Sequence, residues 1–206
     1  MTISEPANKL TAMESSGNEI SADRSKIKSF SRIRLYAGYL YLLLILIFAT
    51  PRLSPVIVGA PLIILGIFLR IVARGTIVKD IEVTTHGIYS VTRNPIYLGS
   101  ALIGLGFALI GTNLWIFSCY FLILFPIYYY QILLEEDFLF SVHEPAFREY
   151  MMSTPRFLPD FRRMKDITAY MKFSRLEGTG EIPSSGLILL IEAAVLFIHR
   201  SWFTLA

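Results

Sequence analysis

One cysteine, three histidines and a 41-residue stretch with no charged side chain are the scarcities that define this chain of 206 residues. Cys119 alone permits no intrachain disulfide and no cysteine metal cluster. His86, His143 and His199 lack the spacing of metal ligands, so metal chemistry is not expected. The first 23 residues hold no apolar stretch of signal-peptide length, so no cleavable leader is expected there. The formal net charge is only +3 and the basic residues flank apolar blocks, which topology explains without nucleic acid as a partner.

The charge-free stretch runs from Asn94 to Leu134, framed by Arg93-Asn94-Pro95-Ile96-Tyr97-Leu98-Gly99 and Glu135-Glu136-Asp137. A membrane helix needs roughly 20 apolar residues, so the stretch exceeds one pass. Gly111-Thr112-Asn113 supplies a turn near its middle, and the segment reads as a transmembrane hairpin. A hairpin returns to the face it left, which brings Arg93 and Tyr97 to the same membrane surface as Glu135 and Glu136. In its first half Ser100, Gly104 and Ala108 recur every four residues, small side chains of the kind that let membrane helices approach. Pro61 and Pro126 lie inside spans, where each frees a backbone carbonyl and favours a kink.

With 54% hydrophobic and 17% charged residues, the former in long blocks, the fold expected is an all-α polytopic membrane bundle of about five transmembrane helices. Spans are read at 35–50 and 55–69. A weaker one at 185–202 contains Glu192, His199 and Arg200 and fits either a span or an interfacial helix. Glu192 is accordingly either an ionisable group at a functional position within a span or a solvated side chain. Residues 1–34 are expected as a disordered, basic cytosolic tail, 35–165 as the membrane core, and 166–206 as a linker and C-terminal membrane helix. Arg24, Lys26, Lys28, Arg32 and Arg34 lead into the first span and suit an anionic inner leaflet. A cytoplasmic amino terminus places 17 of the 19 Lys and Arg on one side, with Arg52 and Arg200 opposite, so the positive-inside rule turns the motif region towards the cytosol.

Before the hairpin, residues 80–92 combine β-branched side chains with a glycine-led turn and read as an extended segment or loop. Pro95 suits the first turn of the next helix and pushes Asn94 towards an extended conformation. A helix start with Arg93 and Asn94 beside it suits a carboxylate or phosphate. Glu135 and Glu136 end the second hairpin helix, where the dipole is negative and a cation is favoured. A zwitterionic or sulfonium-bearing cofactor satisfies both clusters, and Tyr89 and Tyr97 add aromatic faces for an adenine or a sulfonium.

The run Val83-Thr84-Thr85-His86-Gly87-Ile88-Tyr89-Ser90-Val91-Thr92, continued by Arg93 to Gly99, resembles the signature of the isoprenylcysteine carboxyl methyltransferase and phospholipid methyltransferase superfamily. A second block, Glu135-Glu136, Leu139, Phe147, Tyr150 and Pro155-Arg156-Phe157-Leu158-Pro159, is similar to the stretch that follows the hairpin in that superfamily. The resemblance covers roughly residues 55–160. It implies an integral membrane enzyme that binds S-adenosylmethionine at its cytosolic face and methylates a lipophilic acceptor on a carboxyl, amine or thiol. The implied cofactor contacts fall on Val83, Thr84, Tyr89, Asn94, Pro95, Ile96, Tyr97 and Glu135, and the reading of the clusters adds Arg93 and Glu136. Three positions depart from the pattern. Asn94 stands where a histidine is common, Gln131 where prenylcysteine enzymes carry a substrate-associated arginine, and Glu144-Pro145 where a glycine is expected. Gln131 is therefore the candidate substrate contact.

Methyl transfer from a sulfonium is an in-line displacement with an activated leaving group, so the protein has to align the acceptor and exclude water. No catalytic residue is assigned; for an amine or phenol acceptor, Glu136 or a tyrosine is a candidate base. The expected partners are the lipid bilayer and the acceptor, which enters sideways between spans. The cofactor enters from the cytosol beneath a cap of residues 136–165, held at lipid headgroups by Arg162, Arg163 and Lys165. Two rival readings are an NADPH-dependent membrane reductase of the sterol-reductase type and an inactive membrane scaffold with the same fold.

Overall fold

The apolar blocks of the sequence become helices that leave no backbone polar group for lipid to satisfy. The computed structural model describes residues 5–78, 83–163 and 167–198, with side chains from residue 20 onward. In chain order the helices are α1 (Glu5–Phe48), α2 (Leu53–Thr76), α3 (Pro95–Gly111), α4 (Leu114–Cys119), α5 (Phe125–His143), α6 (Ala146–Ser153) and α7 (Glu181–Ile198). A π-helical turn, Tyr120–Leu124, joins α4 to α5 into one rod. Among the described residues there is no strand. Four stretches are long and apolar enough to cross a membrane, Ile20–Phe48, Leu53–Thr76, Leu114–His143 and Glu181–Ile198, and α3 is a shorter apolar helix. The all-α bundle with a hairpin is the architecture the hydropathy pattern implies.

Several boundaries differ from expectation. Residues 5–34, read as a disordered tail, continue the first span as helix. After Pro6 the segment has no proline and a single glycine, Gly17, so no residue stops the helix before the apolar part. The second span extends past residue 69 to Thr76 because Arg70 is paired and need not end it. The last helix begins at Glu181 and Glu192 is buried in it; the expected end of that span at 199–202, with His199 and Arg200, lies outside the described residues, as do Lys165 and residues 80–82. Of the expected extended segment, 83–85 is irregular and Gly87–Ser90 forms a 3-10 turn, with Gly87 at φ +61° opening it.

The closest helix pair is α2 with α3, and glycines make the approach possible. A Cβ on Gly106 would stand 2.7 Å from the Gly59 carbonyl oxygen, and one on Gly99 would stand 2.6 Å from that of Gly66. The small-residue row read from the sequence serves other contacts: Gly104 faces the Tyr120 ring, and Ser100 meets Arg70. The chain turns at Thr112, which is left-handed at φ 44°, before Asn113 caps α4 through Trp115 N–H. At this end Thr50 N–H donates to the Gly111 carbonyl at 2.9 Å, and Asn113 Nδ2 donates to the Phe48 carbonyl at 3.2 Å. These bonds tie the α1–α2 turn to the hairpin tip. The π turn ends two residues before Pro126, which has no N–H to give the helix. Ile45, Ile63, Phe107, Ile110 and Ile116 fill the interior, while Leu40, Ile47, Ile57 and Leu122 face outward.

Candidate functional site

At the opposite end from the hairpin tip, the two framing clusters meet. Arg93 donates from Nε to Glu136 Oε1 at 3.0 Å and from Nη2 to Oε2 at 3.1 Å. Its Nη1 donates to the carbonyls of Met151 and Thr154 at 2.8 and 3.0 Å, so four of its five N–H groups are used. Glu136 also accepts from Asn94 Nδ2 at 2.8 Å and from Arg156 Nε at 2.8 Å. The anion beside the start of α3 is thus the protein's own carboxylate. Arg93 and Glu136, both expected as cofactor contacts, hold each other and the cap in this structure. The ion pair is nearly sealed, with side-chain exposures of 8% and 5%.

Asn94 has φ −124° and ψ 56°, short of the extended conformation expected before proline, and its side chain does not cap α3. Instead Nδ2 donates to Glu136 and to the Arg156 carbonyl at 3.0 Å, leaving Oδ1 as an acceptor. A neutral imidazole has one N–H and cannot make both bonds, which gives the asparagine a physical reason. The second motif block is stitched to the first throughout. Arg93 N–H donates to the Pro155 carbonyl and Asp160 N–H to the Val91 carbonyl, each at 2.9 Å, and Tyr150 Oη donates to the Tyr89 carbonyl at 2.7 Å. Burial pushes the Tyr150 hydroxyl well above the usual phenol range, so it stays a donor.

Beneath this stitching lies a cavity of about 320 Å³, inside the range of small-molecule sites. Val83, Thr84, Tyr89, Arg93, Asn94 and Glu136, all expected as cofactor contacts, line it. Thr84 Oγ1 accepts from Val78 N–H at 3.1 Å. Tyr89 is buried and its hydroxyl has no hydrogen-bond partner. Burial raises the pKa of that hydroxyl, and the charge of Arg74 pulls the other way. Phe138, Leu139, Val142 and Phe147 supply the apolar walls. Arg24 of α1 also lines the cavity, its guanidinium 5.3 Å from the Phe138 ring centre. Sequence reasoning assigned Arg24 to a basic run for topology; nothing in its local pattern separates it from Lys26 or Lys28.

The remaining expected residues form a neighbouring cluster and do not line this cavity. Pro95 is buried at the start of α3, and Ile96 packs against Val72, Ala73, Ile88 and Tyr89. Tyr97 Oη donates to Glu135 Oε1 at 2.6 Å, and Gln131 Nε2 donates to the same oxygen at 2.9 Å and to Ser31 Oγ at 3.1 Å. The Arg34 guanidinium lies 5.3 Å from the Tyr97 ring centre and 5.5 Å from that of Tyr128. Gln131, the candidate substrate contact, is fully buried, with α1 packed over it through Ser31. Arg162 and Arg163, expected at lipid headgroups, both pair with Asp160, whose carboxyl Arg162 holds below the usual carboxylate range.

Residues 54–145 match the family model described as phospholipid methyltransferase. That match bears out the resemblance read from the two motif blocks. The chain is also similar to the nickel-cobalt-cadmium resistance protein NccN of Alcaligenes xylosoxydans xylosoxydans, at 26% identity over 130 residues, 60% of this chain. The matched stretch spans 59% of that relative's length. No solved structure matches.

Proposed function

We propose that this multi-pass membrane protein, whose residues 54–145 match the phospholipid methyltransferase family model, is an S-adenosylmethionine-dependent methyltransferase acting on a lipophilic acceptor. One observation carries the reading: Val83, Thr84, Tyr89 and Asn94, named from the motif as cofactor contacts, surround a single cavity in which a buried tyrosine hydroxyl lacks a partner. A buried polar group without a partner costs roughly 1–3 kcal/mol, and a polar ligand in the cavity removes that cost. S-adenosylmethionine, when bound, supplies an electrophilic methyl group on a sulfonium. The protein's part is positional. Arg24 and the Oδ1 of Asn94 would offer polar contacts of opposite character to a zwitterion, the rings of Tyr89, Phe147 and Tyr150 line the same cavity and would suit a cation, and the apolar walls would exclude water. The Arg93–Glu136 pair fixes the cap over this space.

The site faces the cytosol in this reading, because 17 of 19 Lys and Arg then lie on the cytoplasmic side. The acceptor reaches the cluster of Tyr97, Glu135 and Gln131 from within the bundle and not from water. Titration calorimetry of the purified protein with S-adenosylmethionine and with NADPH is the test. Saturable binding of S-adenosylmethionine supports the proposal; saturable binding of NADPH alone overturns it. Membranes incubated with methyl-labelled cofactor then report whether label enters lipid, protein or a small molecule.

A further inference from the structure

A second cavity, of about 430 Å³, lies among α1, α2, α3, α5 and α7. One end is cationic: Arg34, Arg70 and Arg74 line it. Arg70 is satisfied, donating to both oxygens of Glu181 at 2.7 and 3.0 Å and to Ser100 Oγ at 2.6 Å. The other two are not. Arg34 Nε and Arg74 Nε are buried without a hydrogen-bond partner, and Arg74 Nε stands 3.5 Å from Glu181 Oε2 without bonding it. Among the described residues, Glu181 lies in ion-pair range of Arg70 and Arg74 alone, so two guanidinium groups share one carboxylate and Arg34 has none within 4 Å. Away from that end the walls are Leu42, Ile103, Phe107, Leu124 and Ile188. Leu35, Tyr39 and Leu187 line the cavity while remaining 48%, 50% and 44% exposed, so it opens sideways between α1 and α7.

The geometry points to a binding site for a single-chain amphiphile with an anionic head group, the head between Arg34 and Arg74 and the chain running towards Phe107. Uncompensated cations at the edge of an apolar bundle are costly, and an anion removes the cost where water does so poorly. The elements that supply Arg34, Glu181 and the lateral opening lie outside the family-matched residues 54–145, so this chain's own flanking helices set the preference. The site also adjoins the cofactor cavity. Arg34 covers the Tyr97 ring, and the charge of Arg74 acts on Tyr89, which lines the other cavity. An amphiphile seated here has its head beside the Tyr97–Glu135 wall, where a methyl acceptor belongs if the proposed methyltransferase function holds; that placement as acceptor rests on that reading, and the binding does not.

The test uses the full chain in nanodiscs of neutral lipid and equilibrium binding of labelled laurate, with dodecanol and acetate as the tail-only and head-only controls. Laurate is expected to bind roughly tenfold more tightly than dodecanol, and acetate not to saturate, since hydrogen bonds to a charged group supply that difference. Arg34→Gln and Arg74→Gln are each expected to lose most of that preference, and Arg34→Lys and Arg74→Lys to keep it. Thermal unfolding of the same preparations reports that the glutamine variants are folded. Dodecanol binding as well as laurate, or the double glutamine variant retaining the preference, overturns the inference. Wild-type protein that binds laurate and no S-adenosylmethionine overturns the methyltransferase proposal and leaves this site standing.

Discussion

Arg93 and Glu136 form a two-pronged ion pair that closes the open end of the hairpin, at 3.0 and 3.1 Å, with both side chains almost fully enclosed. Because Glu136 also receives Asn94 and Arg156, removing it strands two guanidinium groups at once. Breaking a buried pair by deleting one partner costs about 3–5 kcal/mol. Glu136→Ala is therefore expected to lower Tm in detergent by many degrees and to free residues 150–160 for proteolysis. Arg93→Ala should do nearly the same, and the double variant should cost much less than the sum of the two. Full additivity in that cycle would show that the pair does not hold the cap.

The hydroxyl of Tyr89 sets up the opposite pattern. It is buried without a partner, so Tyr89→Phe removes an unsatisfied group and should leave Tm unchanged or slightly raised. If the hydroxyl contacts the cofactor, the same change weakens S-adenosylmethionine binding by about tenfold, as one lost hydrogen bond of ~1.4 kcal/mol requires. Arg24→Gln should weaken it comparably with no effect on Tm, because Arg24 lines the cavity from an exposed position on α1. Calorimetry on both variants checks this, and unchanged affinity in both removes the cavity from the cofactor assignment.

Helix packing gives a sharper comparison. The carbonyl of Gly66 stands 2.6 Å from where a Cβ on Gly99 would be, whereas a Cβ on Gly186 meets nothing within 4 Å. Gly99→Ala must therefore push α2 and α3 apart and is expected to cost about 1–3 kcal/mol. Gly186→Ala should be neutral or stabilising, since alanine is the better helix former by ~1 kcal/mol. Gly104→Ala falls between them, because its neighbour is the Tyr120 ring and not backbone. Thermal unfolding of the three variants should give that order.

How much of this was legible in the sequence follows from range. The hairpin was, because charge-free length and a Gly-Thr-Asn turn are local signals, and the meeting of Arg93 with Glu136 follows from the hairpin alone. The internal use of that pair was not. Which donors a carboxylate receives depends on the Arg156 segment, 20 residues further on, folding back across it. The helical state of residues 5–34 was missed because polar composition reads as tail, while the absence of helix breakers was the better signal. Arg34, Arg70 and Arg74 looked like topology markers; their convergence needs α1, α2 and α7 side by side, which no local pattern encodes.

Gln131 offers the most direct check on how this chain differs from prenylcysteine enzymes, which carry arginine at that position by the resemblance. Here the side chain is fully buried, bonded to Glu135 and to Ser31 of α1. Arginine is longer, and the space it needs is filled by α1. Gln131→Arg is thus expected to cost about 1–3 kcal/mol by overpacking, even though Glu135 stands ready to pair with it. Adding Ser31→Gly to the same chain should recover part of the loss by making room. Gln131→Leu, which keeps the volume and drops both bonds, should cost about 1–2 kcal/mol. Thermal unfolding in detergent distinguishes these, and a Gln131→Arg protein as stable as wild type would mean that α1 does not close over the end of the hairpin.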